Sequence, residues 1–274
     1  MSEIVDMNDL KGEKQRGYRV EINDSVYEIE SDLHTHTRYS HGRGSIEDNV
    51  KAAISKGLKQ IGIAEHGPGH IAFGVSRRRL ADMKAEIMRL RDKYPQIEIL
   101  FGSEANIYGP EGNIDIRREE YDYFDYVCAG WHFGAVDGAT PAGIIRTFGN
   151  LFRGTVEKAK DGQLRRNTNM IVKAIETGGI KFLTHPGDKA PVDMLEVAET
   201  CARMGTLLEI NTSHMSVTKD VLRLVMPTGV RFIVNSDAHS PKRVGDFQAG
   251  GELIIEAGLD PERVVNMKKV TSDG

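Results

Sequence analysis

Short apolar runs alternate with amphipathic stretches along most of the chain. Seven runs have the length of buried strands, at residues 27–36, 60–66, 97–104, 123–132, 180–185, 206–211 and 230–237. Between them, apolar spacing predicts helices at 46–56, 76–94, 168–177, 194–204, 219–226 and 244–257, with a last helix opening at Asp260-Pro-Glu262. This alternation predicts parallel strands with right-handed crossovers, in a barrel or an open doubly wound sheet. Because no Gly-x-Gly-x-x-Gly or Walker sequence opens any helix, we predict the α/β barrel.

Two segments fall outside the alternation. Residues 18–29 alternate around Asn23-Asp24, which predicts a small hairpin running into the first strand. Residues 133–167 are rich in Gly and basic residues and have weak helical spacing, so we predict a long excursion of the kind that forms lids or is disordered. We expect residues 1–27 to be an N-terminal extension and residues 28–274 to be one domain.

The composition indicates a soluble protein in a reducing compartment. The 274 residues carry 36 Lys and Arg against 40 Asp and Glu, and a net charge of -4 does not suggest a polyanionic partner. Cys128 and Cys201 lie in apolar contexts, which predicts buried free thiols. The chain shows no apolar signal segment within residues 1–20 and no run of membrane-spanning length. We expect a cytoplasmic protein without a membrane partner; the sequence does not indicate its oligomeric state.

Side chains that bind metals fall at the ends of the apolar runs, namely His34, His36, His66, Glu104, His132, His185 and Asp237. In a β/α barrel the C-terminal strand ends converge on one face, where these residues should meet. His34 and His36 share one face of a strand, His41 follows after a polar loop, and His239 repeats the two-residue spacing after Asp237. Any one of them could instead bond the backbone or cap a turn. Six strand ends carrying such side chains nevertheless predict a metal site.

This set of seven His, one Glu and one Asp exceeds what one ion can bind. With water completing each coordination shell, the set suits two or three divalent ions. Mixed imidazole and carboxylate ligands favour Zn, Mn or Fe over Mg or Ca.

The motifs around these residues resemble those of the PHP (polymerase and histidinol phosphatase) superfamily over about residues 28 to 260. They are His34-Thr-His36 with His41, Glu65-His66-Gly-Pro, Gly102-Ser-Glu104-Ala-Asn, Gly130-Trp-His132, Thr184-His185-Pro-Gly and Ser236-Asp237-Ala-His239. The resemblance implies a distorted seven-stranded (β/α)7 TIM-like barrel with a trinuclear metal centre. It also implies three ligand groups, with Glu104 as a bridge: His34, His36, Asp237 and Glu104; Glu104, His132 and His185; and His41, His66 and His239.

The resemblance and the ligand set together predict a metal-dependent phosphoesterase. The expected substrate is a small phosphate monoester. The expected nucleophile is a metal-bridging hydroxide held by Glu104 and Asp237, and His239 is a candidate proton donor.

Four side chains are candidates for binding the substrate. Arg38, Lys242 and Arg243 could supply the cations that phosphate oxygens favour, although ordinary surface charge explains each equally well. Asn211 ends the sixth run and could hydrogen-bond substrate or a metal ligand, or cap a turn. The Arg77-Arg78-Arg79 cluster is predicted to be solvated.

Three other functions compete with this prediction. A metal-dependent nuclease or phosphodiesterase of the same superfamily would use the same ions, but it fits the slightly acidic chain less well. An amidohydrolase would use a similar barrel, usually with a carboxylated lysine or another bridge in place of Glu104. A non-catalytic regulatory PHP domain would not need all nine ligands.

Overall fold

The computed structural model describes residues 17–135 and 157–271. Its strands are β1 (Tyr18–Ile22), β2 (Ser25–Ile29), β3 (Ser31–Thr35), β4 (Gln60–His66), β5 (Glu98–Tyr108), β6 (Asn113–Ile114), β7 (Tyr126–Gly130), β8 (Ile180–Leu183), β9 (Leu207–Asn211), β10 (Phe232–Asn235) and β11 (Met267–Lys269). Its helices are α1 (Ile46–Ser55), α2 (Arg77–Lys93), α3 (Glu157–Glu176), α4 (Met194–Met204), α5 (Lys219–Val225) and α6 (Gln248–Ala257). Within these ranges no helix combines the length and apolar character needed to cross a membrane.

Seven parallel strands form a nearly closed barrel. Their order is β3, β4, β5, β7, β8, β9 and β10, and each neighbouring pair is parallel. The chain just beyond β10 meets β3: the His36 N–H donates to the Ala238 carbonyl at 2.8 Å, and the Ala238 N–H donates to the His34 carbonyl at 3.2 Å. With helices between the strands along the chain, this is a (β/α)7 TIM-like barrel, and the predicted fold class is confirmed.

Apolar side chains fill the barrel and the layer between the sheet and the helices. The smaller cluster comprises Leu33, Ala64, Tyr126, Cys128, Phe182 and Ile233. Tyr126 donates its hydroxyl to the Leu33 carbonyl at 2.5 Å, and a Cβ at Gly62 or Gly102 would collide with its ring or hydroxyl. These two positions therefore require glycine. Cys128 and Cys201 are buried free thiols, as predicted.

The N-terminal part of the described chain differs from the prediction in one respect. The hairpin is present: β1 pairs antiparallel with β2 through a turn at Asn23 and Asp24, whose φ angles are 49° and 58°. The single strand predicted over residues 27–36 is wrong, because the chain changes sheets at Glu30. β2 lies between β1 and β11 in a three-stranded antiparallel sheet, whereas β3 enters the barrel.

Three predicted helices also have different ends. The helix predicted at residues 168–177 already begins at Glu157, so the last part of the predicted excursion is helical, while residues 136–156 lie outside the described ranges. The helix predicted from Val244 begins at Gln248. The helix predicted after Asp260 is only a 3₁₀ turn at Pro261–Arg263, because the following residues bond elsewhere: the Val265 N–H donates to the Phe232 carbonyl, and Met267 pairs with β2.

Candidate metal centre

All nine predicted ligands lie at the C-terminal end of the barrel, at the strand ends or in the loops that follow them. Seven are buried, with exposed fractions from 0% to 7%: His34, His36, His66, Glu104, His132, His185 and Asp237. His41, in the loop after β3, and His239, after β10, are half-buried. The structure therefore brings together residues that the sequence separates by roughly two hundred positions.

Glu104, near the middle of β5, lies at the centre of this cluster. Its Oε1 lies 3.0 Å from both His132 Nε2 and His185 Nε2, and 3.3 Å from His34 Nε2. Its Oε2 lies 2.9 Å from His66 Nδ1 and 3.4 Å from His36 Nε2. Five imidazoles thus surround one carboxylate. His34 and His36 come from the same part of the chain, and the other three each come from a different strand or the loop after it.

Asp237 is the second carboxylate of the cluster. Its Oδ1 lies 3.3 Å from His36 Nε2, 3.6 Å from His34 Nε2 and 3.5 Å from His239 Nδ1. Its backbone has a φ of 51°, a conformation that L residues other than Asn and Asp rarely adopt.

Several imidazole nitrogens face one another. The Nε2 atoms of His34 and His36 are 3.2 Å apart, as are those of His132 and His185. Those of His41 and His239 are 2.7 Å apart. In His34 and His239 the Nδ1 atom faces a carboxylate or carbonyl oxygen, so the hydrogen is expected on Nδ1 and the lone pair on Nε2. Lone pairs directed at one another are the arrangement that a divalent cation stabilises.

Buried oxygens and nitrogens without a hydrogen-bond partner also indicate a metal site. Among the described residues, Glu104 Oε2, Asp237 Oδ1 and His66 Nδ1 are buried and lack such a partner; the close approach of His66 to Glu104 falls outside hydrogen-bonding geometry. Unsatisfied buried polar atoms are costly in a folded protein. Four overlapping groups have ligand atoms within 4.8 Å of one another: His34, His36 and Glu104; His36, His41 and His66; His36, Asp237 and His239; and His66, Glu104 and His132.

The imidazoles of the cluster fall into two groups. The nearby carboxylates outweigh burial and raise the pKa of His34, His36 and His185 above the ordinary value, so a metal must displace protons from these rings. Burial lowers the pKa of His41 and of His132 to about 3 and that of His239 to about 4, which keeps these rings neutral, the form that binds metals. Burial alone would raise the pKa of Glu104, but His132 and the other imidazoles outweigh it and hold that pKa well below its ordinary value. The residues present therefore fit a divalent metal.

Two buried carboxylates that the sequence analysis did not single out lie behind the ligand rings. Glu209 Oε1 lies 2.8 Å from His34 Nδ1. Glu65 Oε2 lies 3.4 Å from His36 Nδ1, and Glu65 Oε1 accepts the Thr37 N–H at 2.8 Å. The sequence contains one signal that could have identified them: each is an ionisable residue inside an apolar run, in Ile-Ala-Glu65-His and Leu-Leu-Glu209-Ile.

The two other histidines take different positions. His70 Nδ1 accepts the backbone N–H groups of Ala72 and Phe73, and its ring stacks on His66 with a centroid distance of 5.2 Å. His214 lies between Asp188, at 3.2 Å, and the Asp237 carboxylate, at 3.7 Å. His70 thus supports the site by packing, and His214 lies at its edge.

The four predicted substrate-binding residues differ in their exposure and in their contacts. Arg38 and Lys242 are exposed, in the segments that follow β3 and β10. Arg243 pairs with Asp246 at 2.6 Å and donates to Ser213 Oγ at 3.2 Å. Asn211 donates to Glu209 Oε2 at 2.9 Å and to Asp237 Oδ2 at 3.1 Å, while its own oxygen accepts two backbone N–H groups. The Asn211 amide thus bonds residues of the cluster and its surroundings.

The fold and the cluster define a β/α barrel with a metal site at the C-terminal ends of its strands. The family model of the PHP domain matches residues 32–213, so the chain belongs to the PHP domain family. The family predicted from the sequence motifs is confirmed.

Known relatives agree with this membership. A protein of Shewanella sediminis named probable phosphatase is 30% identical over 250 residues, which covers 86% of this chain and 88% of the relative. The probable phosphatase YcdX of Escherichia fergusonii is 28% identical, over 86% and 89% of the two chains. The histidinol phosphate phosphatase HisK of Lactococcus lactis, solved with Zn, L-histidinol and phosphate, has the same fold: the TM-score is 0.58 at 19% identity, over 85% and 95% of the two chains. This protein is a metal-dependent phosphoesterase.

Proposed function

We propose that the protein hydrolyses a small phosphate monoester, using two or three divalent ions held by the nine clustered residues. The observation that carries this proposal is the position of Glu104, a buried carboxylate with imidazole nitrogens around both of its oxygens. A carboxylate placed in this way can bridge two cations, and bridged divalent ions suit the hydrolysis of phosphate esters.

The distances support three ligand groups, the first two of which share Glu104 as a bridge. His34, His36 and Asp237 form the first with Glu104, since their nearest atoms lie within 3.6 Å of each other. His132 and His185 form the second with Glu104 Oε1, the oxygen that His34 also approaches. His41 and His239 face each other in the third, with the His66 ring stacked against His41 at 5.0 Å. Zn, Mn and Fe are the metals that such ligands favour.

The protein's own residues arrange the groups that take part in the reaction. Bound divalent ions supply positive charge that activates water and stabilises phosphoryl oxygens. Glu104 and Asp237 fix the spacing of the cluster and offset part of its charge. The role of His239 as a proton donor remains a prediction; its Nδ1 lies 2.9 Å from the Asp237 carbonyl oxygen.

The surroundings of the site favour a small substrate over a nucleic acid. A polyanion needs a broad basic surface. In the described part of the chain, the cations we assign to the substrate are Arg38, Lys242 and Arg243, and Arg243 already pairs with Asp246 at 2.6 Å. Apolar side chains also border the site: Phe73 stacks on His41 at 4.4 Å and is 39% exposed, and Ile71 beside it is 67% exposed. One phosphate with a compact organic group fits this rim better than a charged polymer.

The deciding experiment compares kcat/KM for p-nitrophenyl phosphate, bis-p-nitrophenyl phosphate and a short single-stranded oligonucleotide, with Zn, Mn and Fe supplied separately. We expect the monoester to be preferred by at least about tenfold. A tenfold preference for the diester or the oligonucleotide would replace this proposal with the nuclease alternative.

The cation assignment has its own test with the same monoester. Arg38→Ala and Lys242→Ala should raise KM, while the control Lys268→Ala, an exposed lysine on β11 of the separate three-stranded sheet, should have no effect. If both site variants behave like Lys268→Ala, these cations do not bind the phosphate.

A further inference from the structure

Glu209, on β9, is a fully buried carboxylate that accepts hydrogen bonds from four side-chain or backbone donors. Its Oε1 faces His34 Nδ1 at 2.8 Å and accepts Asn235 Nδ2 at 2.9 Å. Its Oε2 accepts the His185 N–H at 2.7 Å and Asn211 Nδ2 at 2.9 Å. The exposed fraction of Glu209 is 0%. Burying a charge so completely is unfavourable unless its hydrogen bonds are made, and here each oxygen has two.

These donors come from four consecutive parts of the barrel wall. His34 lies on β3, His185 follows β8, Asn211 ends β9 and Asn235 ends β10. Two of them are proposed metal ligands. Glu209 is also linked to a third proposed ligand, Asp237, because Asn211 donates a hydrogen bond to Asp237 Oδ2 at 3.1 Å.

The contact with His34 also determines which of its nitrogens carries the hydrogen. A carboxylate at Nδ1 requires an N–H there, which leaves the lone pair on Nε2. That atom points into the cluster, 3.3 Å from Glu104 and 3.2 Å from His36 Nε2. A carboxylate behind a ligating imidazole commonly fixes the ring in this way and strengthens its metal bond.

We propose that Glu209 is a positioning residue of the metal centre: it fixes the His34 tautomer and holds His185 and, through Asn211, Asp237 in their places. This inference rests on the proposed role of His34 as a ligand. The carboxylate itself contacts no reacting atom, so its effect should be measured in metal affinity rather than in chemistry alone.

Asp32 offers a matched control on the same part of the barrel. It is also 0% exposed, and it accepts hydrogen bonds from Ser236 N at 3.1 Å, Ser236 Oγ at 2.5 Å and Gly245 N at 2.8 Å, with a longer one from the His34 backbone N–H at 3.5 Å. None of these donors is the side chain of a proposed ligand. Asp32→Asn therefore disturbs the packing near the site to a similar degree without touching an imidazole.

The test measures zinc affinity by competition with a chromogenic chelator, together with the thermal midpoint of each variant. Glu209→Gln keeps the shape of the side chain but offers an N–H₂ as well as a carbonyl, so it no longer fixes the ring. We expect zinc affinity to fall by roughly 10- to 100-fold. Asp32→Asn should lower the midpoint while leaving zinc affinity within about threefold of the wild type.

The outcomes separate this inference from the proposed function. If His34→Ala loses zinc but Glu209→Gln binds it as the wild type does, the inference is wrong and the ligand set stands. If His34→Ala also binds zinc normally, the ligand assignment fails. Equal weakening in Glu209→Gln and Asp32→Asn would mean general loosening and would also overturn the inference.

A measurement on the wild-type protein tests the predicted His34 tautomer even if Glu209→Gln does not fold. In zinc-loaded protein with ¹⁵N-labelled histidine, long-range ¹H–¹⁵N spectra should show His34 with its hydrogen on Nδ1 and zinc on Nε2. The opposite arrangement, with the hydrogen on Nε2, would contradict the proposal.

Discussion

Glu104 is the residue on which the other side chains of the cluster depend. Both of its oxygens have imidazole nitrogens within 3.4 Å, and its surroundings keep its pKa well below the ordinary value. Neutralising it would therefore remove the charge that holds two cations close together.

Glu104→Gln should lower kcat/KM for the monoester by on the order of a hundredfold or more, with little change in the thermal midpoint of the metal-free protein. The amide oxygen is a poor bridge between cations, whereas the barrel core does not involve it. Glu98→Gln, an exposed residue at the other end of the same strand, is the control. Near-normal turnover with full metal content would refute the bridging role.

Protons should compete with metal for the imidazoles. Burial lowers the pKa of His34 and His36, but Asp237 and Glu104 outweigh it and raise both values well above the ordinary one in the metal-free protein. Protonation of these rings therefore becomes more favourable as pH falls, and metal must displace those protons. Bound metal should already begin to decrease at or above the ordinary histidine value of about 6.5 as the pH falls. Mass spectrometry of protein equilibrated from pH 8 to 5 measures this, and constant stoichiometry would argue against histidine ligands.

The sequence predicted the strand-end residues because barrel geometry fixes where strand ends meet. His34, His66, Glu104, His132, His185 and Asp237 needed no knowledge of side-chain contacts. Glu65 and Glu209 were not predicted because their roles depend on which ring each carboxylate faces. Sequence spacing does not contain that information.

The elements were predicted best where local signals mark both ends. Helix α1 has a capping box, in which Ser45 Oγ accepts the Asp48 N–H at 3.1 Å and the Asp48 carboxylate accepts the Ser45 N–H at 2.9 Å. Helix α4 ends at Gly205, whose φ is 73°. The start of α3 was missed because its first turns, Glu-Lys-Ala-Lys-Asp-Gly, carry no apolar stripe. The strand break at Glu30 depends on pairing with β11, more than two hundred positions later.

Ser45→Ala should destabilise the protein by about 1 kcal/mol, because it leaves a helix N–H without its cap. Urea unfolding measures the difference. Ser55→Ala is the control: its hydroxyl bonds the Ala52 carbonyl at the other end of α1, and its loss should cost less than about 0.5 kcal/mol. Equal effects of the two substitutions would show that the cap contributes nothing specific.

In the whole molecule, the proposed metal ligands lie on both sides of the seam between β10 and β3, where the barrel closes. His34 lies on β3 and His36 directly after it, and Asp237 and His239 follow β10. Backbone hydrogen bonds between His36 and Ala238 join the same two segments. Stability and metal binding should therefore be coupled.

Removing metal should lower the thermal midpoint. A ligand that binds only the folded protein stabilises it by about 4 kcal/mol at a thousandfold excess over its dissociation constant. Calorimetry with zinc and with EDTA compares the two states, and His34→Ala should show a smaller difference than the wild type. Identical midpoints with zinc and EDTA would mean that the ions do not stabilise the fold.

Metal bound across the seam would affect the lifetime of the protein in the cell. An ion held by His36 and Asp237 would close a loop of roughly two hundred residues, as a cross-link does, and in the chain-entropy view this would remove roughly 5 kcal/mol of freedom from the unfolded chain. Unlike a disulfide, this cross-link forms and dissolves with metal supply. Proteases act on opened chains, so metal scarcity would shorten the survival of the enzyme as well as stop its turnover.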